Sequence, residues 1–251
     1  LATLGAPERR TLLGRRRRGR PRAAEPSPAP APVTTGRATL IGAQPFADAA
    51  EAEAWLGGAD GEAEAAAALA ALNRVLHAQR LATADAAVHE VAREQALVVR
   101  IGIGGGEQVA EGRWSRALEL PAPQPERLRR PAALRSQERL AALLGGRDAP
   151  LACEDLALRA RGDLAAGRVR EAAFQLRVAL EAAIAELEPW SGRGDIGERL
   201  EELRRERAVV GATANAALQG GLGEEAADDV ERVLGRLEAA LRARTALGFA
   251  E

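Results

Sequence analysis

Residues 168–188 read RVREAAFQLRVALEAAIAELE, and their spacing decides the fold. Val169, Ala173, Leu176, Leu180, Ala183 and Leu187 recur at alternating steps of four and three. That spacing puts them on one narrow stripe of an α-helix, the kind that seats against other helices. Working outward, further amphipathic helices are expected at 135–145, 150–166, 196–219 and 224–246. Gly145 and Gly146, Gly167, residues 189–194 and residues 220–223 separate them. Ile196, Leu200, Leu203, Val210, Ala214 and Leu218 share a face of one, and Val230, Leu234, Leu237 and Leu241 share a face of the last. Asp195, with Glu198 three residues on, predicts an N-cap and capping box. Short links between such helices favour antiparallel neighbours. The expectation is a mainly α protein whose residues 135–251 form an antiparallel four- or five-helix bundle.

Upstream, residues 121–134 are rich in Pro and Arg and read as a linker. Before it, residues 37–120 read as a small α+β module. Its expected parts are a short strand at 38–41, an acidic helix at 48–56 and a long helix at 62–94. Strands follow at 97–103 and 113–120, with Gly104, Gly105 and Gly106 as a turn after the first. In the long helix Leu69, Leu72 and Leu76 keep helical spacing, but the step from Leu76 to Leu81 breaks the phase. Residues 1–36 carry eight Arg against two Glu, so this tail is +6 and leaves −7 for the rest of a chain whose net charge is −1. The segment reads as a disordered, basic, Pro-rich tail. Val33 begins the first stretch of folded character, and residues 1–32 are expected to be dispensable for the fold or upstream of the native start.

Composition narrows the function classes. The 251 residues include one Cys and no Lys, Tyr or Met, so every basic residue is Arg. This bias is the mark of a GC-rich, bacterial type of genome, and it weakens Arg, Gly and Pro motifs as functional signals. One Cys excludes an internal disulfide framework, and no apolar run is long enough to span a membrane. Arg9 and Arg10 resemble the start of a twin-arginine export signal, but Arg15, Arg16, Arg17 and Arg18 stand where an apolar region should follow. A cytoplasmic protein is expected. Three Trp and three Phe are too few and scattered for a base-stacking platform.

Several motifs carry possible chemistry. Arg18, Gly19, Arg20, Pro21 and Arg22 resemble the core of an AT-hook, which implies DNA contact in a narrow A·T minor groove, where guanidinium groups are drawn by the negative potential. Gly102, Ile103, Gly104, Gly105 and Gly106 follow a strand-like run, but Glu107 stands where a dinucleotide fingerprint needs Gly, and no Lys exists for a P-loop. A turn between strands is the better reading. His77 and His89, twelve residues apart on one expected helix, are out of phase and cannot share a metal. Asp85 is positioned to hydrogen-bond His89. Cys153 has no His nearby in sequence and reads as an inert packing residue. The bundle has no Glu-x-x-His pair for a di-metal site, and Glu201 is expected to pair with Arg205. Residues 167–181, through Gly167, Ala172, Leu176, Ala179 and Leu180, resemble the second helix of a tetratricopeptide repeat and the turn before it. The match covers half of one unit with no second copy, so the resemblance implies a helical hairpin.

These readings assign no catalytic, cofactor or metal residue. They favour a non-enzymatic helical protein that acts through a protein partner or through self-association of its bundle. A DNA-associated protein tethered by Arg18, Gly19, Arg20, Pro21 and Arg22 is the alternative, and an enzyme with a sparse Arg/Glu site is the third.

Overall fold

The structure, a computed structural model, describes residues 35–123 and 130–248, with side chains from 135 onward in the second stretch. The chain divides between Pro125 and Glu126 into two compact units. Its described residues hold seven α-helices and one two-stranded sheet, so the protein is mainly α, with packed C-terminal helices after a small α+β part.

In the first unit, α1 (Ala49–Gly58) begins at Asp48, whose carboxylate accepts the Glu51 N–H at 2.8 Å. Asp60 starts α2 (Gly61–Thr83) in the same way, accepting the N–H groups of Glu62 and Ala63. Such caps satisfy donors that a helix start leaves unpaired. The segment 38–41 forms no strand. The helix expected to reach residue 94 ends at Thr83, because Ala84 turns left-handed at φ 51° and closes on the Arg80 and Leu81 carbonyls. The helix runs unbroken through the phase break between Leu76 and Leu81. The chain then runs back beside α2, held there by Asn73: its amide donates to the Val91 carbonyl at 3.0 Å and accepts the Val91 N–H at 2.9 Å. One side chain thus supplies the paired hydrogen bonds of a strand neighbour.

Strand β1 (Arg100–Ile103) pairs antiparallel with β2 (Arg116–Glu119), Arg100 opposite Glu119 and Ile103 opposite Arg116. Both are shorter than the sequence suggested. Ala52 and Leu56 of α1 bury against Ile103, with Trp55 and Ile101 beside them. The glycines have packing reasons. A Cβ on Gly102 would lie 2.7 Å from the Trp114 ring and 2.9 Å from the Arg116 carbonyl, and one on Gly104 would lie 3.0 Å from Val109. The indole covers the strand where a side chain is missing.

The second unit contains α3 (Arg130–Leu144), α4 (Ala152–Ala165), α5 (Val169–Leu187), α6 (Ile196–Leu218) and α7 (Ala226–Ala246). Helix α3 starts inside the stretch read as linker. Helices α4 to α7 form the core: Leu176, Leu180, Leu187, Leu200, Leu203, Leu234 and Leu237 are fully buried, interleaved with Ala160, Ala172, Ala179 and Ala183. Pairs of groups along the helices show their directions. Glu186 at the end of α5 meets the start of α4, Glu188 and Glu181 meet Arg204 and Arg207 of α6, and Asp148 before α4 meets Arg244 near the end of α7. Each of these pairs joins antiparallel helices. Asp195 makes no capping hydrogen bond at α6; its carboxylate pairs with Arg199 at 2.6 Å instead. Glu201 pairs with Arg204, and Arg205 donates to the Glu201 backbone carbonyl. Among the described residues no helix is long and apolar enough to cross a membrane.

Gly102→Ala is expected to destabilise the hairpin by about 1–3 kcal/mol, since the new methyl must displace an indole or a backbone carbonyl. Faster amide exchange over residues 100–103 and 116–119, with the helical bundle unchanged, is the readout.

Candidate functional site

Two positions in the bundle break the apolar stripes. In α7, the step after Leu241 falls on Arg244, and in α6 the gap between Leu203 and Val210 is filled by Glu206; both side chains are buried. A buried charge persists only when paired and hydrogen-bonded. Glu206 accepts from Arg232 at 2.9 Å and from Arg236, which ties α6 to α7.

Arg244 builds the more elaborate cluster. Its side chain, 7% exposed, donates to Asp148, 4% exposed, at 2.5 Å and lies 3.8 Å from Glu154. The guanidinium also sits over the Trp190 ring, 4.9 Å from its centroid, an arrangement that favours a cation. From α3, Arg139 donates to Glu154, approaches the Thr245 hydroxyl at 3.5 Å and places its Nε 3.5 Å from Asp148, a charge contact without a hydrogen bond. Glu154 also accepts the Leu151 N–H at 3.0 Å, closing the first turn of α4. Two arginines and two carboxylates thus join α3, the loop before α4, the start of α4 and the end of α7.

Burial pushes the Asp148 carboxyl up, but the Arg244 hydrogen bond and charge, the Ala149 N–H and Arg139 together bring it below the ordinary carboxylate range. A general acid or base works best near the operating pH. Asp148 moves the other way and stays ionised, which suits a lock better than a proton donor.

Beside this cluster lies a groove of about 400 Å³ between α3 and α4, lined by Leu140, Leu143, Pro150, Leu151 and Leu158 and edged by Arg139, Glu154 and Asp155. Leu140, Leu144 and Leu158 are 56%, 81% and 72% exposed. They form the apolar surface of α3 and α4 that the bundle leaves in solvent.

Other candidates fall elsewhere. Arg18, Gly19, Arg20, Pro21 and Arg22 lie outside the described residues. His89 is exposed and lies beyond the end of α2, so the two histidines do not share a helix; His77 stands 4.0 Å from Glu90. Asp85 accepts the Ala87 N–H at 2.8 Å, a local turn. Cys153 is fully buried at the start of α4, where Glu186 accepts its N–H and that of Ala152, each at 3.0 Å. Burial and the Glu186 carboxylate push the thiol well above its ordinary value. Burial raises Glu186, and the Cys153 and Ala152 donors outweigh it, so this carboxyl titrates low. Among the described residues no three His, Cys, Asp or Glu groups gather as a metal set.

The depressed Asp148 carboxyl fixes the sign of a pH effect. Its contribution is complete above the unfolded value, near 3.9, and is lost as pH falls through the lower folded value. Asp148→Asn is expected to cost about 3 kcal/mol at neutral pH, because Arg244 loses its buried partner. The gap between wild type and variant should close on acidification. Thermal unfolding across pH measures both, and a gap that widens in acid would contradict the assignment.

Compared with known proteins, the chain matches no family model, no curated protein and no solved structure.

Proposed function

We propose that this chain is a cytoplasmic, non-enzymatic helical assembly module that associates with a second copy of itself through the α3–α4 face. The observation that carries the reading is the exposure of Leu140 and Leu158, which line the α3–α4 groove, with exposed Leu144 one turn beyond Leu140 on α3. Neighbouring apolar side chains left in water at the edge of a packed bundle mark a contact surface. A twofold contact requires a patch that complements itself. Arg135 and Glu138 on α3 and the Asp155–Arg159 ion pair on α4, at 2.6 Å, are exposed, so both helices carry both signs of charge and two copies can exchange partners across the contact. An Ala-rich core supports the same reading, since association adds apolar burial that alanines do not supply. The free, buried Cys153 fits a reducing compartment.

Light scattering over a concentration series tests this reading. A rise toward twice the monomer mass is expected, and Leu140→Glu with Leu158→Glu should hold the protein monomeric with its helix content unchanged. A monomer at every concentration, or a dimer indifferent to both substitutions, overturns it.

A further inference from the structure

We infer that α3 is an ionic clasp, a helix that opens from the α4–α7 bundle as a unit while the bundle stays folded. Three observations support this. First, α3 has little apolar hold: among its described side chains Ala142 alone is fully buried, Leu143 is half-buried, and Leu140 and Leu144 face solvent. Its attachment leans on Arg139, which reaches Glu154, Asp148 and Thr245.

Second, the bundle side of that attachment is satisfied without α3. Asp148 keeps its hydrogen bonds from Arg244 and from the Ala149 N–H. Glu154 keeps the Leu151 N–H and the Arg244 charge at 3.8 Å. The first N–H groups of α4 are held by Glu186 of α5. Opening therefore strands no buried carboxylate and uncaps no helix, which removes the main penalty that holds a buried ion pair together.

Third, the joint exists. Gly146 follows α3 at φ +68° with open space where a Cβ would be, in a turn whose Arg147 N–H donates to the Ala142 carbonyl at 2.9 Å. Local opening of this kind has its own free energy, below that of global unfolding. Association through the α3–α4 face would hold α3 closed, so the clasp is read at a concentration where light scattering gives the monomer mass.

Hydrogen exchange followed by mass spectrometry on the full chain, at neutral pH and in low and high salt, tests the clasp. Peptides covering residues 135–144 should exchange about a hundredfold faster than those of α5 and α6. Added salt should speed them further while α5 and α6 stay constant, because salt screens a partly exposed ion pair and leaves apolar burial intact. Arg139→Gln should accelerate α3 about tenfold in low salt and abolish most of its salt dependence. Equal protection in α3 and α5, or a salt effect shared by all helices, overturns the proposal from the wild type alone. So does a variant in which α5 and α6 loosen as much as α3.

Discussion

The constraint on which the bundle depends is the burial of one face of α5. Leu176, Leu180 and Leu187 sit at the centre, and Ala172, Ala179 and Ala183 stand where larger side chains would hold the axes apart. Alanine lets helices approach closely and favours helix formation, but it removes little apolar surface from water. The sequence compensates at the helix ends and edges with guanidinium–carboxylate pairs. Arg161 reaches Glu238 across α4 and α7 with two parallel hydrogen bonds, at 2.9 and 3.0 Å. That forked geometry is available to Arg and not to Lys. A compositional bias toward Arg therefore has a structural use, whatever its origin in codon usage.

The helices were legible because their stripes are regular and their breaks are glycines. Residues 150–166, 168–188, 196–219 and 224–246 anticipated α4 to α7 to within a few residues at each end. Legibility failed where a single side chain or a single backbone torsion decided the outcome. No periodicity announces that Ala84 turns left-handed or that Asn73 will hold Val91, since both depend on the chain returning to α2. The strands were overestimated because β-branched residues favour extension without fixing how many residues pair. Asp195 has the right spacing for a cap, yet Arg199 one turn later competes for its carboxylate and wins.

The charged cluster was half visible. Arg244 and Glu206 occupy stripe positions, and a charge on an apolar stripe is a readable sign of a buried ion pair. Their partners were not readable: Asp148 is far from Arg244 in sequence, and only the antiparallel arrangement of α4 and α7 brings them together. The exposed leucines of α3 and α4 were hidden for the opposite reason. In sequence Leu140, Leu144 and Leu158 look like core residues, and only packing shows that the core closes without them.

The burial of Cys153 bears on how associated forms of this protein should be interpreted. Its thiol is buried in the first turn of α4 beside the Glu186 carboxylate, which with burial holds it in the protonated form, and the thiolate is the species that attacks disulfides. Native molecules therefore resist air oxidation, and a dimer held by Cys153 reports chains that have unfolded around it. An association that survives reductant unchanged comes from the folded surface, which makes redox state a sorting criterion between assembly and damage.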